Sequence, residues 1–157
     1  MKRGLLLAAL QLGIVLLTGA KYLVDRSTLP RAWARARPFD PNLPIRGRYV
    51  RIALDVKLDG HSFEGGAVKL QAANSELHAV PTLEDTGNRV GWMQSRAEIA
   101  RLAEPVAFFI PEHIPDPSRR EAGEELWVEL TIPRKGPPRP IRLAVKTDTA
   151  FKVLPID

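Results

Sequence analysis

Cysteine is absent from this chain, so no disulfide staples the fold, and neither thiolate catalysis nor a thiolate metal site is available. A cysteine-free chain suits either side of a bacterial inner membrane. No Ser–His–Asp order and no glycine loop of the kind that cradles phosphate is found, and there is no internal repeat or low-complexity tract. Long hydrophobic runs are equally scarce. Residues 4–20, GLLLAALQLGIVLLTGA, form the single extended stretch without a charge. What the chain does have in quantity is proline, 14 residues placed mostly between short apolar runs, which favours short strands joined by turns over long helices.

Positive charge is in excess, at +5, and its location decides what it implies. Up to Phe39, Lys2, Arg3, Lys21, Arg26, Arg31, Arg35 and Arg37 stand against Asp25 alone, whereas the remainder carries sixteen basic and seventeen acidic residues. Nucleic-acid binding needs a basic field on the folded domain, so it is set aside. A basic stretch beside a bilayer suits anionic lipid headgroups, at about 1 kcal/mol per residue near the surface.

Three segments follow: a membrane or signal anchor over residues 1–24, a basic juxtamembrane segment or first strand over 25–39, and a β domain over 40–157. The run at 4–20 is near the lower limit for crossing a bilayer core of about 30 Å. Lys21 can snorkel, which lets Tyr22, Leu23 and Val24 extend the span. A retained signal anchor is expected, with a cleaved signal peptide or a buried core helix as alternatives. Lys2 and Arg3 resemble an export signal that sends the C-terminal side outward, while the basic residues after the run argue for the opposite orientation. Large C-terminal domains translocate largely regardless of charge, so the expectation is a single-pass inner-membrane protein with a periplasmic domain. The alternatives are a domain facing the cytoplasm and one secreted after cleavage.

The strongest pattern lies in residues 46–58, RGRYVRIALDVKL. Val50, Ile52, Leu54, Val56 and Leu58 alternate with Arg51, Ala53, Asp55 and Lys57, the period-2 signature of a half-buried strand. Asp59-Gly60 ends it with turn chemistry. Residues 31–37 alternate as well, with Arg31, Trp33, Arg35 and Arg37 on one side and three alanines on the other. This predicts a short first strand near the membrane, with Trp33 able to sit at headgroup level. Further strands are predicted at 67–72, 77–80, 90–94, 126–132, 141–145 and 151–154. Residues 106–110, VAFFI, read as a strand buried on both faces. Residues 95–103, SRAEIARLA, read as the one short helix after the anchor, with Ser95 and Glu98 at capping-box spacing. The expected fold is mainly β: a transmembrane helix, then a small antiparallel barrel or sandwich.

Phe39-Asp40-Pro41, then Arg46-Gly47-Arg48-Tyr49-Val50, then Phe108-Phe109-Ile110-Pro111-Glu112 together resemble, in that order along most of the chain, the GDYXXLXY family. These are small bacterial proteins with an N-terminal membrane segment and no established activity, so the resemblance implies architecture and no chemistry. Gly47 and Tyr49 match the motif; Arg48 stands in place of its aspartate, Ile52 of its leucine and Leu54 of its second tyrosine. The Gly-x-Tyr-Val stretch also resembles the substrate-side strand of signal-peptidase-like serine–lysine proteases. Those need a serine just before it, and FDPNLPI has none.

Among possible chemical groups, His61, His78 and His113 lack metal-ligand spacing. Glu112 with Asp116 is a candidate carboxylate pair whose plainer reading is loop charge. Two functions of different class result. One is a non-enzymatic, membrane-anchored domain that binds a protein, such as an integral membrane protein, through Arg46, Gly47, Arg48, Tyr49 and Glu112. The other is an envelope hydrolase or metal-dependent enzyme with a site around Glu112 and His113. The first is preferred, with no catalytic residues, no cofactor and no metal, and with the lipid bilayer as a further partner.

Overall fold

The computed structural model describes residues 2–39, 49–59, 65–91, 98–111 and 113–155. The apolar N-terminal run is helical as part of α1 (Lys2–Thr28), whose Gly4–Thr28 portion is long and apolar enough to cross a membrane, with none of its apolar window buried in the protein. The helix therefore continues past residue 24, through the first basic residues. The Leu29 N–H bonds to the Asp25 carbonyl and Pro30 then stops the helix, because it has no N–H and disfavours helical geometry in the residue before it. Arg26 lies in the last turn, where a cation complements the helix dipole. Strand β1 (Arg31–Pro38) starts directly after Pro30, so the chain passes from helix to sheet within two residues.

The protein is mainly β with this one N-terminal apolar helix, as its patterning predicts. After β1 come β2 (Tyr49–Leu58), β3 (Gly66–Ala73), β4 (Glu76–Pro81), β5 (Arg89–Val90), β6 (Ile99–Arg101), β7 (Val106–Phe109), β8 (Glu125–Thr131), β9 (Arg139–Lys146) and β10 (Phe151–Val153). Strand β2 is the hub. One edge pairs with β1 (Ala36 opposite Leu54) and then with β4 (Lys57 opposite His78), and the other pairs with β7 (Ile52 opposite Val106) and then β6 (Val56 opposite Ala100). Beyond β1 the order runs β8, β9, β10, all antiparallel.

The sheet is single, mixed and open, where alternation predicts an antiparallel barrel or sandwich. The parallel element arises because β4, not β3, lies beside β2: the β3–β4 hairpin returns the chain in the direction of β2. Alternation states which face a residue takes; neighbour order is outside its reach. Val90 bridges Leu102, but the sheet does not close.

Two further expectations are corrected. Residues 99–101 form strand β6 rather than the end of a helix, and residues 92–97 lie outside the described residues. Ala100 and Leu102 are buried while Ile99 and Arg101 are exposed, a period of two that pairing with β2 enforces over the weak i, i+3 pattern. Strand β7 is buried on one face only. Val106 and Phe108 point inward, whereas Phe109 is 71% exposed, because no element among the described residues covers the outer face there. The inner face forms one core from Ala32, Ala34 and Ala36 of β1, Val50, Ile52, Leu54 and Val56 of β2, and Leu126, Val128, Leu130 and Leu143 of β8 and β9. The small alanines let β1 lie close beneath the larger side chains of its neighbours.

Candidate functional site

The face opposite the core carries the odd-numbered residues of β1, β2 and β8. At one end lies an exposed aromatic patch. Tyr49 is opposite Phe109 across β2 and β7, and Phe39 bonds its N–H to the Arg51 carbonyl beside them. The Arg51 guanidinium lies 5.0 Å from the Phe39 ring centroid, within cation–π range, and meets no carboxylate among the described residues. Tyr49, Phe39 and Phe109 are all exposed.

Midway along the face, Asp55 is only 8% exposed. It accepts a 2.7 Å bond from the Arg37 Nε on β1 and a 3.4 Å bond from the Arg101 Nε on β6. A carboxylate removed from water is tolerated there because a guanidinium approaches from each flanking strand. Lys57 and Glu76 form the next ion pair.

Beyond them, Trp33 packs edge-on to Phe151 at 4.9 Å, and Trp127 lies 6.2 Å from the same ring. Lys146 sits 4.9 Å from the Trp127 ring centroid and Arg142 5.8 Å from that of Trp33. Arg142 also pairs with the buried Glu129 across β8 and β9, and Arg35 with Glu125 at 2.9 Å. A cavity of about 140 Å³ is lined by both tryptophans, Lys57, Glu76, Ile99 and Glu125 among others. Apart from the Arg51 patch, the charges of this face are largely matched in pairs.

The predicted site residues fall differently. Tyr49 is exposed at the start of β2. Arg46, Gly47, Arg48 and Glu112 lie outside the described residues, as does His61. His113 is exposed in a turn. His78 instead meets Asp59: its Nδ1–H donates to Asp59 Oδ1 at 2.8 Å, and Gln71 Nε2 donates to the other oxygen at 2.9 Å. These bonds, that from His78 first, hold the Asp59 carboxyl below the usual carboxylate range, since both favour the ionised form. Among the described residues no group of three or more His, Asp or Glu side chains is placed to hold a metal. Sequence reasoning missed Phe39, Arg51, Phe109, Trp127 and Phe151 as one surface. Their odd-numbered places on or directly after separate strands were visible, but which strands are neighbours was not. No family model, no curated protein and no solved structure matches this chain.

Proposed function

We propose that the protein is a single-pass, membrane-anchored binding domain whose partner is a protein of the same membrane, with the domain on the periplasmic side of a bacterial inner membrane. The exposed Phe39–Tyr49–Arg51–Phe109 patch is the observation that carries this. Exposed aromatic side chains beside an arginine are the residue types that dominate binding energy at protein interfaces. An arginine already stacked on a ring loses little freedom when a partner docks. The occupant that fits is a protein surface offering an apolar side chain flanked by a carboxylate, which would reach Arg51. Arg46, Gly47 and Arg48 directly precede Tyr49 in the sequence. Tethering by α1 confines the patch to a thin layer beside the bilayer and raises its effective concentration toward partners there. Kinship with the GDYXXLXY family belongs to this proposal, as a shared architecture.

A photoreactive amino acid in place of Phe109, in the full-length protein in its own membrane, tests the binding reading. One discrete crosslinked partner is expected, abolished by Tyr49→Ala with Phe39→Ala and absent when the probe replaces Lys69. Identical adducts from both probe positions would show that the patch is not the interface. C-terminal fusions to alkaline phosphatase and to a cytoplasm-dependent fluorescent protein decide the side; fluorescence without phosphatase activity would put the domain inside.

A further inference from the structure

Where α1 meets the sheet, a cavity of about 230 Å³ is lined by Tyr22, Leu23 and Arg26 of the helix and Thr131, Arg139, Pro140 and Ile141 of β8 and β9. We infer that this cavity holds the phosphodiester of one anionic phospholipid headgroup. The assignment rests on the membrane-anchor reading of α1 and deepens it.

Depth comes first. At about 1.5 Å per residue, residues 4–20 rise roughly 24 Å, about 6 Å short of a hydrocarbon core of about 30 Å. Tyr22 and Leu23 therefore complete the span, and Arg26, about 9 Å beyond the end of that run, lies at the boundary with the headgroups. The cavity therefore opens into the layer where lipid phosphates are found.

Charge is second. Arg139 donates to Asp25 at 2.8 Å and stacks 4.8 Å over the Tyr22 ring, which ties the first residue of β9 to the helix. Asp25 offsets one of the two guanidinium charges, while Arg26 pairs with no carboxylate among the described residues. Arg31 brings a third guanidinium beside them, donating to the Arg26 carbonyl at 2.8 Å and likewise meeting no carboxylate among the described residues, so the surroundings of the cavity are net positive and suit an anionic phosphodiester. Guanidinium groups suit phosphate because their fork donates two parallel bonds to two oxygens. Arg139 is held in place by its ring and carboxylate partners, so its free N–H groups are already oriented.

The third feature is the apolar part of the wall. Leu23, Pro140 and Ile141 offer contact to the glycerol and upper acyl carbons of a lipid, which a free phosphate ion does not have. This separates the two possible sources of the same anion and favours the lipid.

Native mass spectrometry of the full-length protein, released from micelles containing equal phosphatidylglycerol and phosphatidylcholine, tests the site. A one-to-one phosphatidylglycerol adduct should dominate. Arg26→Gln, which breaks no described side-chain contact, should reduce it roughly fivefold, the equivalent of about 1 kcal/mol for one arginine at a charged surface. Arg26→Lys should retain more of it than Arg26→Gln, and Arg119→Gln, on an exposed loop, should leave it unchanged. Equal retention of the two lipids, or an adduct indifferent to Arg26→Gln, would overturn the site. Displacement of the adduct by inorganic phosphate would reassign the cavity to a soluble anion and overturn the lipid assignment. Alkaline carbonate extraction separates this from failure of the anchor itself. Full-length protein that stays in the membrane but shows no lipid selectivity loses only the site, whereas release into the soluble phase removes the anchor and the site together.

Discussion

Leu54 and Asp55 are adjacent in the chain, point to opposite faces of β2, and are both buried, for different reasons. Leu54 is fully enclosed by the core, so Leu54→Asp would leave an unpaired carboxylate in an apolar setting at a cost of several kcal/mol. Thermal unfolding of the full-length protein in detergent should show a large loss for this variant; a melting temperature equal to wild type would mean that the inner face is wrongly assigned. Lys57, on the outer face, is half exposed and pairs with Glu76. Lys57→Glu turns that attraction into repulsion, for which a cost of about 0.5–1 kcal/mol is expected, the scale of exposed pairs. Asp55 calls for a double-mutant cycle. Arg37→Ala or Arg101→Ala alone leaves the carboxylate one partner, whereas both together strand it, so the double variant should lose about 1 kcal/mol or more beyond the sum of the singles. Strict additivity would show that Asp55 is hydrated. For Asp59 the sign follows from its lowered pKa. The contribution of its bonds to His78 and Gln71 is fully present above the carboxylate's unfolded pKa and is lost as pH falls through the lower folded value. Wild type should therefore exceed Asp59→Asn in stability near neutral pH, with the gap closing in strong acid; a gap constant across that range would remove Asp59 from the linkage.

Elements show where sequence patterns were sufficient and where they were not. Strands β1, β2, β8 and β9 were legible because each buries one face and alternates cleanly. Strand β6 was misread because SRAEIARLA satisfies a capping-box spacing, while the pairing of Ile99–Arg101 with β2 is a non-local event that outweighs local propensity. The β3–β4 turn was not identified at all. Asn74 and Ser75 both adopt positive φ, 50° and 64°, with Ala73 opposite Glu76, the geometry of a two-residue hairpin that favours Asn-Gly. Serine there carries the cost of a left-handed backbone. Ser75→Gly should stabilise the protein by about 0.5–1 kcal/mol, read as a higher denaturant midpoint with unchanged slope. A drop in the midpoint would indicate that the serine side chain contributes more than its backbone costs.

For the molecule as a whole, the link between helix and sheet is short and reinforced. Pro30 accepts from the Ile132 N–H, Arg139 reaches Asp25, and Tyr22 stacks on Arg139. The sheet is thus held at a set angle to the helix rather than hanging on a loose tether. Because the chain has no cysteine of its own, spin labels can be placed at Lys21→Cys and Lys69→Cys without background. The distance distribution between them should be narrow in wild type and broaden when Asp25→Asn and Tyr22→Ala are combined. Equal widths would show that the Leu29-Pro30 junction alone sets the angle.

The sequence by itself determined the properties that depend on near neighbours in the chain. These are the helical apolar run, its arrest at Pro30, the strand character of β1, β2, β8 and β9, and the side of β2 on which Ile52 and Leu54 lie, since each rests on a period or a local backbone constraint. On β2, Tyr49 faces outward and Ile52 and Leu54 inward, as odd and even places on one strand must. Tertiary structure alone decided that β4 runs parallel beside β2, that the sheet stays open, that Phe39, Tyr49 and Phe109 meet on one surface, and that Arg139 returns across 114 positions to meet Asp25. Those outcomes depend on which distant segments become neighbours, and that choice is made by summed burial and pairing over the whole sheet, which no local period encodes.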